Sequence, residues 1–417
     1  MKSVVILGLL FVSCYLSAQN GINYDESKVP QYVLPDVLTL SNGKKIETKE
    51  QWEKQRRPEI MEMFSAQMYG RTPKEKINVK HEKLTENPND MGGRATSKQV
   101  KFIFSKGNKK VEAILLLYIP NKPAGKVPVI MGYNFNGNHS TTADPTVHYP
   151  SSFDFLKESG RIDLERGGQA SRWSYDRLID RGYAVATMCY HDIFPDREGF
   201  KDRSIVALFS NFNPALQAPD EWQAIGAWAW GLSRIADYIE TEKRIDKNKI
   251  AVMGHSRQGK ATLWAGAQDG RFKVVISNNS GSGGAALSKR EFGERVKNVS
   301  TIKPFWFCPA FNKYHDNEVN LPFDQHELIA LIAPRKVYVA SAEEDLWADP
   351  KGEFLATFHA GPVFKLYGLS VIDSDRMPAM HLPIVKDVGY HIRAGKHDVT
   401  EYDWERFMDF ADKHFSK

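Results

Sequence analysis

Hydrophobic residues form short runs at several places along the chain. Seven segments are strand candidates, and several of them are apolar throughout rather than alternating with polar residues. They span residues 101–104, 111–119, 127–132, 183–189, 249–253, 272–277 and 336–340. Continuous apolar strands suit a parallel sheet with both faces covered, especially where helices separate the strands. The pattern predicts an α/β fold with a mostly parallel central sheet sandwiched by helices.

Hydrophobic residues at steps of three and four predict the helices. One such face lies between Asp220 and Arg244 and is made of Trp222, Ile225, Trp228, Leu232, Ile235 and Ile239. Near-helical spacing also covers residues 51–69, and Gly70 with Pro73 ends it. This second segment is expected to be a helix that leads into the domain.

The amino terminus has the three regions of a secretory signal peptide. Lys2 supplies the charge, residues 4–12 are apolar, and Ser17 and Ala18 are the small residues of a cleavage site. The apolar stretch is shorter than the roughly 20 residues of a spanning helix, so we expect no membrane span. A signal peptide over residues 1–18 predicts a secreted or periplasmic protein. A lipoprotein acylated at Cys14 is the alternative.

One domain is the simplest organisation of residues 19–417, because no internal repeat or low-complexity linker interrupts them. Its first part, to about residue 95, is expected to be a helical extension. The 56 basic and 51 acidic residues leave a net charge of +5 and are dispersed, which argues against a nucleic-acid partner. After signal removal, Cys189 and Cys308 allow at most one disulfide, so the fold does not depend on a disulfide framework.

A motif that carries chemistry follows the strand candidate at residues 249–253. Residues 254–259 read GHSRQG, and a helical run begins at Lys260. Strand, sharp turn and helix form a nucleophile elbow, in which the serine, Ser256, adopts a strained backbone. The amino end of the helix directs free N–H groups toward a developing oxyanion. The usual elbow has glycine two residues after the serine, where Gln258 stands in this chain.

A serine nucleophile needs a histidine base, and that histidine needs an acceptor that fixes its tautomer. In hydrolases of this class the order is serine, acid and histidine, with the histidine on a late loop. His397 lies just before the terminal helix predicted at residues 402–414 and is favoured by position. His391 competes with it, and His381 and His414 are less well placed.

The acid should follow the strand candidate at residues 336–340. Four carboxylates are available in the loop after it, namely Glu343, Glu344, Asp345 and Asp349. Position therefore selects the loop but not the residue.

Several of these segments also share a pattern with a known family. They are residues 254–260, 277–284, 343–350 and 395–397, with residues 134–139 as a further similarity. Together they resemble the bacterial glucuronoyl esterases of carbohydrate esterase family 15, whose Ser-Arg-x-Gly-Lys form accounts for the displaced glycine. The resemblance implies an α/β-hydrolase fold and hydrolysis of the ester between 4-O-methylglucuronic acid of xylan and lignin alcohols. It implies no cofactor and no metal.

The resemblance also implies a role for individual residues. Ser256 would be the nucleophile and His397 the general base, while Arg257 would direct its guanidinium and its backbone N–H at the oxyanion. The implied substrate-binding residues, two charged groups for sugar hydroxyls and one aromatic ring beside the sugar, are Lys260, Glu294 and Trp347.

One departure from the family concerns the acidic partner of the histidine. Many members, the fungal ones especially, have a glutamate where Asn279 stands, and asparagine cannot balance an imidazolium charge. The bacterial pattern supplies an aspartate in the later loop, which matches Asp345. Ser282 replaces a cysteine common in the family, so a disulfide using that position is absent.

The sequence thus predicts a monomeric serine esterase that acts through an acyl-enzyme on glucuronoxylan or lignin–carbohydrate esters. Two alternatives remain open: another carbohydrate esterase, such as an acetyl xylan esterase, and a catalytically silent homologue that binds acidic glycans. Activity on benzyl glucuronate and on an aryl acetate separates the three.

Overall fold

A computed structural model describes residues 21–158, 165–209 and 217–415 of the protein. In this part of the chain nine strands form one sheet. Their bounds are β1 Asn78–Asn89, β2 Ala95–Lys106, β3 Lys109–Pro120, β4 Val127–Asn134, β5 Ala184–Cys189, β6 Ile245–His255, β7 Phe272–Asn278, β8 Lys336–Ala342 and β9 Val388–Arg393. Each of the seven strand candidates lies within or overlaps one of these strands.

The strand order is β1-β2-β3-β5-β4-β6-β7-β8-β9. Strands β5, β4, β6, β7, β8 and β9 pair with their neighbours in parallel. Strands β1, β2 and β3 continue the sheet in antiparallel pairing, and β3 joins β5 in the same way. The prediction of a mostly parallel α/β sheet is confirmed.

Helices cover both faces of the sheet. The first, α1, runs without interruption through the segments Lys49–Gln51, Trp52–Arg56, Arg57–Phe64 and Ser65–Tyr69. The other α-helices of six residues or more are α2 Phe153–Glu158, α3 Tyr175–Asp180, α4 Ala224–Ile239, α5 Arg257–Gln268, α6 Val296–Ile302, α7 Gln325–Ala330, α8 Pro350–His359, α9 Gly361–Leu366 and α10 Glu401–Phe415. Short 3-10 turns occupy several of the connections.

The continuous apolar strands have this character because each of them contributes side chains to two cores. In β8, Val337 and Val339 face one core while Tyr338 and Ala340 face the other. The first core includes the apolar face of α4 that was predicted from its spacing, and the second includes the apolar face of α10. Both faces of each strand are therefore buried, so polar residues do not alternate with apolar ones along it.

Two strands were not predicted from the sequence. Strand β1 lies within the extension that was expected to be helical, and it is largely exposed because it forms the sheet edge. Strand β9 is fully buried but carries His391 and Arg393 among its six residues. Both side chains bind the buried carboxylate of Asp403, and these contacts compensate for their burial. Because two of its six residues are polar, β9 does not have the sequence pattern of an apolar strand.

The predicted signal peptide, residues 1–18, lies outside the described residues. Among the described ranges no helix combines the length and the apolar character that crossing a bilayer requires.

Candidate active site

The carboxyl ends of six parallel strands meet at one edge of the sheet. The candidate site residues that follow them are Phe135 after β4, Tyr190 after β5, Ser256 after β6, Asn279 after β7, Asp345 after β8 and His397 after β9. The register brings these ends level, because Asn278 pairs with His255 on one side and with Ala340 on the other. This edge is where open α/β sheets bind their ligands.

Ser256 lies on the sharp turn between β6 and α5. Its φ of 57° and ψ of −130° are a strained conformation for a residue with a side chain. A Cβ on Gly254 would lie 2.1 Å from the backbone oxygen of Gln258, and a Cβ on Gly259 would lie 2.8 Å from Cβ of Ser280. The close approach of strand and helix therefore requires glycine at position 254, and the packing of α5 against the end of β7 requires glycine at position 259. This packing also accounts for the displaced glycine of the motif.

His397 and Asp345 form a close pair. Nδ1 of His397 lies 2.5 Å from Oδ2 of Asp345, and the amide of Asn279 donates to the same oxygen at 2.8 Å. The side chain of Asp345 is 5% exposed, whereas that of His397 is 39% exposed. An acceptor at Nδ1 fixes the proton there and leaves Nε2 able to accept another.

The competing histidines make other contacts. His391 is fully buried in β9, with Nδ1 3.0 Å from the Tyr338 hydroxyl and Nε2 2.9 Å from Asp403. His381 and His414 each form a hydrogen bond with the backbone. All three therefore have contacts that account for their positions in the fold.

The competing carboxylates also differ from Asp345. Asp349 caps the amino end of α8 and forms an ion pair with Arg290 at 2.9 Å. Glu343 and Glu344 are exposed to solvent. Asp345 is the member of this group that contacts His397.

Arg257 is the first residue of α5, so its backbone N–H has no partner within the helix. Its guanidinium forms an ion pair with the buried carboxylate of Asp196, which also accepts from Trp306 Nε1 at 2.8 Å and lies 3.3 Å from Lys303 Nζ. Burial alone would raise the pKa of Asp196, but the charges of Arg257 and Lys303 outweigh it and lower the pKa. Nε of Arg257 is buried without an acceptor among the described residues.

The three expected substrate-binding residues are contiguous. Nζ of Lys260 lies 2.9 Å from Oε2 of Glu294 and also donates to the backbone oxygen of Ser282. The backbone N–H of Glu294 donates to the backbone oxygen of Trp347 at 2.8 Å. Lys260 is 3% exposed and Trp347 is half-buried, so a buried ion pair lies next to the backbone of a partly exposed tryptophan.

One cleft, about 440 Å³ in volume, brings Ser256, Arg257 and His397 together. Lys260, Glu294 and Trp347 are not among the residues that line it. Across the described residues the structure has no hydrogen bond between the Ser256 hydroxyl and His397. Such bonds are often long before substrate binds and shorten in the reacting complex.

Comparison with known proteins places the chain among carbohydrate esterases. A family model for fungal glucuronyl esterases matches residues 208–368. The carbohydrate esterase MZ0003, from an unknown prokaryotic organism, is 43% identical over 95% of this chain and 93% of its own length. The chain belongs to carbohydrate esterase family 15.

Solved structures of family 15 members have the same fold. A glucuronoyl esterase from Solibacter usitatus gives a TM-score of 0.87 at 43% identity, covering 94% of this chain and 100% of its own. A promiscuous CE15 esterase from a marine bacterial metagenome gives a TM-score of 0.86 at 41% identity, with the same coverage. The α/β-hydrolase fold expected from the resemblance is confirmed.

His255 is a residue of this family 15 site that the sequence analysis missed. Its ring centroid lies 4.5 Å from that of His397, and its Nδ1 lies 2.6 Å from Oδ1 of Asn278. Burial, followed by the charges of His397 and Arg172, lowers its pKa well below the ordinary value. A neutral imidazole therefore packs against the candidate base. Its place directly before Ser256 was the one signal in the sequence.

Glu353 was missed as well. It lies on α8, fully buried, where Oε1 accepts from the N–H of Ser280 at 2.6 Å and of Gly281 at 3.0 Å. Its Oε2 accepts from the Ser341 hydroxyl at 2.6 Å. The carboxyl group thus joins the loop that carries Asn279 to the end of the strand that precedes Asp345. Burial raises its pKa to about 8.

Proposed function

We propose that this enzyme hydrolyses the ester between glucuronic or 4-O-methylglucuronic acid of glucuronoxylan and an alcohol of lignin. The observation that carries the proposal is the grouping of Ser256, His397 and Asp345 at the amino end of α5, with a buried ion pair whose lysine lies on the same helix. Lys260 lies about one helical turn after Ser256 and pairs with Glu294. Cleavage of a simple ester needs the centre alone, whereas a sugar acid offers hydroxyl groups to the pair.

The reaction proceeds through an acyl-enzyme. His397 takes the proton of the Ser256 hydroxyl as Oγ attacks the ester carbonyl carbon, and the oxyanion is stabilised by the N–H groups of Arg257. The intermediate then expels the alcohol, to which His397 returns the proton. Water, deprotonated by the same imidazole, attacks the acyl-enzyme, and the intermediate releases the uronic acid as His397 returns the proton to Oγ of Ser256. Asp345 balances the charge that the imidazolium carries in both steps.

Substrate selection rests on the Lys260, Glu294 and Trp347 cluster. The ammonium donates hydrogen bonds to hydroxyl groups and the carboxylate accepts hydrogen bonds from them. The pair can therefore bind a sugar hydroxyl both as an acceptor and as a donor. The aromatic side chain offers an apolar surface to the sugar ring. Neither feature helps an ester that lacks a sugar.

The proposal is tested with benzyl glucuronate and an aryl acetate. The wild-type enzyme should hydrolyse the first efficiently, and Ser256→Ala should abolish turnover without unfolding the protein. Ser374→Ala, at an exposed serine, is the matched control and should retain wild-type turnover. A fluorophosphonate should label the wild type at the peptide that contains Ser256. Hydrolysis of the acetate alone would indicate another carbohydrate esterase, and a folded wild-type protein inactive on both would indicate a glycan-binding homologue.

We also infer that the protein acts outside the cytoplasm. The charged, apolar and small-residue regions of residues 1–18 support export, and so does the polymeric nature of the proposed substrate. The exported protein should begin close to Gln19 when its amino terminus is sequenced. An acylated terminus at Cys14 would instead establish a lipoprotein.

A further inference from the structure

A short segment near the start of the described chain lies beside the proposed sugar-binding residues. The backbone N–H of Gly293 donates to the backbone oxygen of Asn23 at 2.8 Å. The next residue, Glu294, donates its own N–H to the backbone oxygen of Trp347. Three segments that are remote in sequence therefore run next to one another, and Asn23 belongs to the first of them in the chain.

The same segment is anchored again three residues later. Glu26 accepts from Arg290 Nη2 at 2.5 Å and from Lys351 Nζ at 2.7 Å. Arg290 is buried and in turn binds Asp349, at the end of the loop that carries Trp347. The segment is thus fixed at both ends to the loops that hold Glu294 and Trp347.

Tyr24 lies between these two anchors. Its ring packs edge to face against Phe292, with centroids 6.3 Å apart and planes at 82°, yet 41% of the residue stays exposed. Burial raises the pKa of the phenol, and the charges of Asp345 and Glu294 raise it further. A large aromatic side chain is therefore held in place and partly uncovered beside the candidate site.

We propose that Tyr24 is a further substrate-contacting residue that binds the uronosyl sugar of the ester rather than its alcohol. The assignment rests on the proposed function, because it follows from the position of Tyr24 beside Glu294 and the backbone of Trp347. The exposed part of the ring offers an apolar surface to the sugar, and the hydroxyl group can donate to or accept from a sugar hydroxyl. The amino-terminal segment then forms one wall of the substrate site.

The test compares Tyr24→Ala and Tyr24→Phe on methyl glucuronate, benzyl glucuronate and an aryl acetate. For Tyr24→Ala, kcat/KM on both glucuronate esters should fall roughly 3- to 10-fold relative to the acetate, the range expected for one lost aromatic contact. Tyr24→Phe should recover most of that loss because it keeps the ring. Tyr149→Ala is the control, since Tyr149 is also 41% exposed but packs against His139 and Phe153 rather than against the segment that precedes Glu294.

Each contrary result has a distinct meaning. A loss on the benzyl ester alone would place Tyr24 against the alcohol, and an equal loss on all three substrates would make its role structural; either result overturns the proposal. An unchanged Tyr24→Ala variant of an active glucuronoyl esterase would overturn the role of Tyr24 alone. A wild-type enzyme without activity on either glucuronate ester would overturn the proposed function together with it.

Discussion

Asn279 donates its side-chain amide to Oδ2 of Asp345, the same carboxylate oxygen that lies against His397. The amide is uncharged, so it orients the carboxylate without competing for the imidazole proton. The position at which other family members have a glutamate thus supports Asp345 in this enzyme. The negative charge beside His397 comes from Asp345.

Asp345→Asn should lower kcat on benzyl glucuronate by at least about 100-fold, because loss of the orienting carboxylate in a triad costs up to about 10⁴. Steady-state kinetics at fixed pH measure the effect. Glu344→Gln, in the same loop but exposed, is the control and should leave kcat within twofold. Adding Asn279→Glu to Asp345→Asn should restore part of the activity, because a carboxylate returns to the site. A nearly unchanged Asp345→Asn enzyme would assign the acid to another residue.

Arg257→Ala should lower kcat by about 100-fold or more, as expected for loss of an oxyanion donor. Asp196→Asn should have a smaller effect, since it weakens the positioning of the guanidinium but leaves the guanidinium present. Arg376→Ala, at an exposed arginine, controls for the loss of one positive charge. A rise in KM with unchanged kcat in Arg257→Ala would make Arg257 a binding residue instead.

Lys260→Ala should reduce kcat/KM for benzyl glucuronate much more than for an aryl acetate. The ratio of the two kcat/KM values, glucuronate over acetate, should fall by about tenfold or more. The ammonium has no sugar hydroxyl to bind in the acetate. Because this variant leaves Glu294 without its partner, Lys260→Ala combined with Glu294→Gln should be measured beside it. Equal losses on both substrates would show that Lys260 supports the elbow rather than the sugar.

Glu353→Gln should change how stability depends on pH. With a pKa of about 8 in the folded protein, Glu353 keeps its proton where the unfolded chain, with its ordinary pKa near 4.5, has released it. Glu353 therefore contributes stability that is complete below about pH 4.5 and is lost as pH rises toward 8. The free energy of unfolding of the wild type relative to Glu353→Gln should fall between pH 5 and pH 8 in urea titrations.

Glu343→Gln is the control for that experiment, because Glu343 is exposed and should give no such trend. A wild-type advantage over Glu353→Gln that is constant with pH would mean that the folded protein binds Glu353 as a carboxylate. In that case Glu353 would accept the hydrogen bonds of Ser280 and Ser341 in its ionised form.

Local sequence patterns were sufficient for the centre of the fold and for the strand, turn and helix that carry Ser256. The parallel strands are continuous apolar runs because both of their faces are dry, and the elbow is a contiguous motif whose glycines are required by local packing. Strand β1 could not be predicted in this way, since an exposed edge strand lacks an apolar pattern. Strand β9 was missed because His391 and Arg393 interrupt it, and only its contact with Asp403 compensates for their burial.

The acid of the site shows where sequence reasoning ends. Position selected a loop with four carboxylates, and the family resemblance favoured Asp345 among them. The contact with His397 depends on how β8 and β9 are paired, which is a property of the assembled sheet. Asp196 and Glu353 gave no signal, because a carboxylate in a loop or on a helix is ordinarily solvated and its burial follows only from tertiary contacts.

The gathering of six strand ends at one edge has a consequence for measuring the stability of this enzyme. The residues involved extend from Phe135 to His397, so a competent centre requires the register of β4 to β9 to be in place together. Catalytic turnover therefore reports whether all the parallel strands, β4 to β9, are folded together. During denaturant titration it should disappear with, or before, the loss of tryptophan fluorescence from Trp228 and Trp264 in the core, and a fragment that lacks either end of the layer should be inert.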